Sequence, residues 1–175
     1  MTPAYKIGGE TDPAEWSGIV GDSVNGYCGP SSCNSTWNAL TYDKEADGYR
    51  LPTEAEWEWL ARGGENYTYA GSNTVDDVAW YTTNTNNTGT REVKTKQANG
   101  YGLYDMIGNV CEWCYDWYDT VNSSTADTGA SSSSFRVKRG ASWCLIYLNC
   151  PVFNRFSYYP YYRNKDDGFR VVRTK

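Results

Sequence analysis

Apolar and polar positions follow a helical period clearly in one stretch, Leu51-Pro-Thr-Glu-Ala-Glu-Trp-Glu-Trp-Leu-Ala-Arg-Gly-Gly64. Trp57, Leu60 and Ala61 recur at i, i+3 and i+4, which puts them on one face of a helix. Thr53 followed three residues later by Glu56 forms a capping box, with Pro52 just ahead. Gly63 and Gly64 supply the stop. In Phe135-Arg-Val-Lys-Arg139 apolar and polar residues alternate, which predicts a strand. Gly168-Phe-Arg-Val-Val-Arg173 predicts a closing strand, with Phe169, Val171 and Val172 in its core. Residues 1–49 carry turn residues without a helical period. The Asn/Thr-rich segment Thr82–Thr90 predicts a surface loop or turns, and Val121–Ser134 predicts an exposed, mobile loop. No repeat of solenoid period is present. Together these patterns predict one α+β domain over residues 1–175, built of short strands, few helices and much irregular loop.

Composition narrows the picture. The apolar share is 39%, yet there are 8 Trp and 16 Tyr, so a folded core would be built from rings; disordered chains lack aromatics. The net charge of −5 offers a phosphate backbone no counterion-release energy, and no basic cluster offsets it. Nucleic acid is therefore not an expected partner. Anionic membrane surfaces are disfavoured for the same reason, and no apolar run approaches the roughly 20 residues that span a bilayer. The segment Met1–Tyr5 lacks signal-peptide features. A surface or extracellular location is the expectation only if a leader or anchor lies outside this sequence.

Histidine is absent, which removes imidazole from any metal triad, nucleophile pair or acid–base role. The six cysteines are Cys28, Cys33, Cys111, Cys114, Cys144 and Cys150. Cys28 and Cys33, in a Gly-Pro-Ser-Ser loop, could close a small disulfide. Cys111-Glu-Trp-Cys114 has C-x-x-C spacing but lacks the βαβ context of a redox motif, so buried structural thiols are expected there.

Four segments in order resemble the formylglycine-generating enzyme (sulfatase-modifying factor) domain family: Arg50–Gly64, Asn99–Tyr118, Arg136-Val-Lys-Arg-Gly-Ala-Ser-Trp143 and Gly168-Phe-Arg-Val-Val172. The match runs from about Tyr49 to the C-terminus. It implies a variant of the C-type-lectin-like fold with two helices and a sheet joining the chain ends. Family domains usually carry a further N-terminal strand and helix, and that block is expected to be missing here.

The resemblance implies a structural calcium ion within Asp105–Glu112. Asp105 and Glu112 would give carboxylates, and Gly108 and Val110 backbone carbonyls, in keeping with calcium's preference for oxygen ligands. Family oxidases bind copper through two cysteines five positions apart, just after the Gly-Ser-aromatic motif. Cys150 matches the second, but the first falls on Leu145, with Cys144 one residue early. A one-residue shift on an extended strand reverses a side chain, so copper and oxidase activity remain the alternative, resting on Cys144 and Cys150.

Between the framework residues of Arg139–Arg173, many relatives carry Asn. Here the fillers are Cys, Leu, Ile, Tyr, Phe, Ser and Asp, nearly all reachable from an Asn codon by changing adenines alone; Lys165 is an exception, and Asp167 stands where relatives are usually apolar. This resembles the variable proteins of diversity-generating retroelements, which bind targets through a diversified C-terminal face. The expected ligand-binding residues are Cys144, Leu145, Ile146, Tyr147, Leu148, Phe153, Phe156, Ser157, Tyr158, Tyr159, Tyr161, Tyr162, Asn164, Lys165 and Asp166. Tyr supplies contact area with few torsions to freeze, plus a hydroxyl. The expected partner is a protein or another surface ligand, and Cys150, Asn154, Arg155 and Phe169 are expected to hold the contacts in place.

Overall fold

The computed structural model describes residues 2–6, 11, 40–43, 45–121, 130–160, 162 and 164–173. Cys28, Cys33 and Tyr161 lie outside the described residues. The chain forms two compact units. The first takes in residues 1–51, 161–163 and 171–175. Within it, β1 (Tyr5–Lys6) pairs antiparallel with β2 (Thr41–Tyr42), and β3 (Tyr49–Arg50) pairs antiparallel with β10 (Val172–Arg173).

The second unit holds residues 52–160 and 164–170. Its helix α1 (Glu54–Arg62) has the predicted ends. The Thr53 hydroxyl accepts from the Glu56 N–H, and the Glu56 carboxylate accepts from the Thr53 N–H at 2.8 Å. Gly63, in the left-handed region, donates its N–H to the Trp59 carbonyl. Trp57 and Ala61 are buried as predicted, with Leu60 packed beside them. Two one-turn helices follow, α2 (Val75–Val78) and α3 (Thr82–Thr85), separated by β4 (Ala79–Trp80). β4 pairs parallel with β5 (Ile107–Gly108).

A four-stranded sheet closes this unit in the order β8-β7-β6-β9. β6 (Cys111–Trp117) and β7 (Arg136–Arg139) are antiparallel, as are β7 and β8 (Arg155–Tyr158), whereas β9 (Asp167–Gly168) runs parallel to β6. One face of the sheet packs on Trp57, Met106, Ile107 and Val152 through Cys114 and Val137. Among the described residues the core cluster holds two rings, Trp57 and Tyr81, and is otherwise made of small, aliphatic and sulfur-bearing side chains, so it is less ring-built than the composition suggested.

Two expectations change. The predicted closing strand is divided: β9 and β10 sit in different sheets with Phe169–Val171 between them. Arg170 turns inward to Glu112, so its neighbours point outward. Phe169 is 68% exposed and Val171 is exposed too, and neither is core. Phe169 therefore does not hold the contact residues in place. The Thr82–Thr90 segment is also more than a surface loop, because it contains α3 and the fully buried Thr85.

Candidate functional site

The stretch from Arg139 begins with a sealed base. Gly140 has φ +91°, and a Cβ there would lie 2.8 Å from the Met106 carbonyl oxygen and 3.0 Å from the Trp57 ring. Only glycine suits that position. Trp143 donates its N–H to the Asn109 carbonyl at 2.9 Å, while its own carbonyl accepts from the buried Thr85 hydroxyl at 2.8 Å. The buried Ser142 hydroxyl donates to the Asp166 carboxylate at 3.0 Å. The framework motif is thus fixed from three sides before the chain emerges.

Residues 146–154 then form a braced excursion. Tyr147–Asn149 is a 3₁₀ turn. The Cys150 N–H donates to the Tyr147 carbonyl, the Val152 N–H to the Thr68 carbonyl at 2.9 Å, and the Asn154 side chain to the Leu148 carbonyl at 2.8 Å. Cys150 and Val152 are buried. Ile146, Tyr147, Leu148 and Phe153 stand 50–60% exposed above them. Further along, Tyr158 and Tyr159 are exposed, and Tyr159 packs on Phe135 with ring centroids 4.5 Å apart.

The expected contact residues therefore divide. Ile146, Tyr147, Leu148, Phe153, Tyr158, Tyr159, Asn164 and Lys165 are exposed. Cys144, Ser157 and Tyr162 are half-buried. Leu145 and Phe156 pack against the core, which removes most of their surface from ligand reach. Asp166 is buried, and its carboxylate accepts from Ser142 and from the Cys144 thiol at 3.3 Å. It braces the base instead of facing outward.

Arginines tie this stretch to α1. Arg139 is fully buried, and its guanidinium donates to Glu54 at 3.1 Å, to Glu58 at 2.5 Å and to the Val152 carbonyl at 2.9 Å. Arg155 grips Glu54 with a two-pronged contact at 2.6 and 2.7 Å. Bidentate guanidinium–carboxylate pairs fix geometry as well as charge. Burial works to raise the Glu58 pKa, but Arg62 and Arg139 outweigh it and hold that carboxyl below its ordinary value. The hydrogen bonds that Arg155 donates to Glu54 push its own pKa higher still.

The residues expected to hold calcium are placed otherwise. Glu112 is buried and accepts from the Trp57 indole at 2.6 Å and from two nitrogens of Arg170, each at 2.6 Å. Arg170 also reaches the carbonyls of Tyr104 and Asp105, at 3.4 and 3.3 Å. The Asp105 carboxylate turns away to accept from the Lys94 N–H at 2.8 Å. Gly108 donates its N–H to the Gly140 carbonyl at 2.6 Å, and the Val110 side chain lies against Gly168. The two carboxylates do not converge, and the guanidinium of Arg170 supplies the positive charge that braces the loop. This donor set does not fit calcium, and among the described residues no three Cys, Asp or Glu come together as a metal-holding group.

The cysteines separate as well. Cys150 is enclosed in the core cluster, and burial pushes its thiol up to about 12. Cys144 sits apart, on Ser142 and Asp166, and is raised by burial first. Soft copper is bound by thiolates; here the two sulfurs lie in different surroundings, Cys150 in the core cluster and Cys144 on Ser142 and Asp166. Cys111 and Cys114 are buried and unbridged, and burial lifts Cys111 to about 12. That is the environment of packed structural thiols.

These features have counterparts in known proteins. A profile for the sulfatase-modifying factor enzyme 1-like domain matches residues 12–175. The chain belongs to this family. Its match begins well before Tyr49, so residues 12–48 are part of the family domain as well. The chaperone protein LppX of Paenibacillus barcinonensis is 34% identical over 161 residues, covering 81% of this chain and 55% of that protein. The formylglycine-generating enzyme of Mus musculus is 39% identical over 127 residues, covering 62% of this chain and 34% of that protein. The chain thus spans about half or less of these relatives. Among solved structures, Treponema denticola variable protein 1 superposes with a TM-score of 0.82 at 40% identity, covering 97% of this chain and 61% of that one. The mixed architecture of short strands and few helices is the C-type-lectin-like fold of this family.

Proposed function

We propose that this family member is a ligand-binding protein that displays a diversified surface, in the manner of the variable proteins of diversity-generating retroelements. The observation that carries this reading is the division of residues 139–173. Framework groups such as Arg139, Ser142, Trp143 and Cys150 are buried, whereas Ile146, Tyr147, Leu148, Phe153, Tyr158 and Tyr159 are exposed. Exposed apolar and aromatic patches mark interaction sites, and rings carried on a braced turn lose little entropy when bound. The likeness to a variable protein across almost the whole chain supports it. The partner is a protein or another surface ligand met by this face.

A displayed library randomised at those six positions tests the reading by selection on an immobilised folded protein such as lysozyme. Binders are expected to be enriched over the fixed parent. No enrichment from a library that folds would contradict the proposal.

A further inference from the structure

Lys138 and Asp167 lie at opposite ends of the displayed stretch and meet across β6. In the sheet register Lys138 pairs with Trp113, and Asp167 pairs with Cys111. Cys111 and Trp113 are two residues apart on one strand, so all four side chains share a face. The Lys138 Nζ touches Asp167 Oδ1 at 2.5 Å, with the side chains only 10% and 5% exposed. The Trp113 and Tyr158 rings flank the amine, each with its centroid 5.4 Å from Nζ. A buried ammonium and carboxylate pay a heavy desolvation cost, and ring faces replace little of an ammonium's hydration.

We propose that Lys138 and Asp167 condense to an intramolecular amide that covalently closes residues 139–166 into a loop. The ammonium passes a proton to the carboxylate, leaving a neutral amine beside a carboxylic acid. Nζ attacks Cγ, the Cγ–O bond breaks, and the hydroxyl leaves as water with a proton from nitrogen. An Nζ–Cγ bond replaces the ion pair, and no oxidant or cofactor is needed. Burial, with Asp166 adding to it, raises the Asp167 pKa in spite of Lys138, which favours the acid form that the attack requires. The amide removes both buried charges. It also constrains the unfolded chain as a disulfide would, whatever residues the displayed positions carry. The inference is independent of the ligand-binding reading.

Intact mass of the purified protein under denaturing conditions tests it, together with mass spectrometry of its peptides. The expected result is a chain lighter by one water, with a branched peptide joining Lys138 to Asp167, and a return to the full sequence mass in Lys138→Arg. A wild-type chain at full mass would overturn the proposal. So would a water loss that persists in Lys138→Arg, because the Asp167-Gly168 backbone can also lose water by cyclising. The branched peptide from the wild-type protein decides the matter even if the variant fails to fold.

Discussion

Trp57 of helix α1 and the aromatic residues of the displayed stretch are used in opposite ways. In α1, Trp57 is completely buried, and its indole is bound to Glu112. In the stretch 146–159, Ile146, Tyr147, Leu148, Phe153, Tyr158 and Tyr159 face outward, while the backbone beneath them is pinned by Cys150, Val152 and Asn154. Burial and the indole bond to Glu112 account for Trp57. The outward set contributes little to a core. The two regions are linked by Arg139 and Arg155, which reach from the sheet to Glu54 and Glu58 on the helix. The helix thereby serves as the anvil on which the displayed stretch is fixed.

The largest effect should come from breaking that link. Arg139→Ala leaves Glu54 and Glu58 each without one of their two cationic partners and removes donors from the Val152 and Phe153 carbonyls. Removing one partner of a buried pair typically costs about 3–5 kcal/mol, and denaturant unfolding should show a loss of that size. Gly140→Ala should cost roughly 1–3 kcal/mol, since its Cβ would press on the Met106 carbonyl and the Trp57 ring at a positive φ. By contrast, Leu148→Ser on the outward set should change stability by no more than about 0.5 kcal/mol.

The pH dependence of stability sharpens the same contrast. Cys111 and Cys150 have thiol pKa values raised to about 12. In the unfolded chain these thiols ionise near their ordinary value, so their contribution is complete below it and is lost as pH rises towards 12. Cys150→Ala should therefore flatten the alkaline limb of an unfolding curve measured from pH 8 to 11. Glu58 acts in the other direction: its lowered pKa gives stability present above the ordinary carboxylate range and lost as pH falls through the folded value. Glu58→Gln should flatten the acid limb. The smallest effect concerns calcium. With Glu112 held by Arg170, millimolar calcium followed by chelator should leave the melting temperature unchanged.

Much of this was legible in the sequence because it is local. The Thr53–Glu56 capping box, the Trp57–Ala61 face and the alternation around Val137 are each set within a few residues. The framework of the displayed stretch was legible through family resemblance. What was not legible depends on distant partners. Glu54 and Arg139 are 85 positions apart, and Arg170 meets Glu112 across 58. Nothing in either local segment announces the pairing. Arg170 bears on two expectations at once: it pairs with the carboxylate expected for calcium, and by turning inward it sends Phe169 outward. Asp166 was placed on the contact face because it fills an Asn-type position of the variable stretch, whereas Ser142 and Cys144 draw it in. Thr85, inside an Asn/Thr-rich run, gave no hydrophobic signal that its hydroxyl would lock the Trp143 carbonyl.

The central claim is that the scaffold is indifferent to the residues it displays. The direct measurement is the folded fraction of a library randomised together at Ile146, Tyr147, Leu148, Phe153, Tyr158 and Tyr159, read by protease resistance of the displayed chains. The account predicts that most members remain as resistant as the parent, while a control library at Trp57, Arg139, Trp143, Cys150 and Val152 loses resistance. General loss of resistance in the first library would show that these side chains are part of the core and would contradict the account.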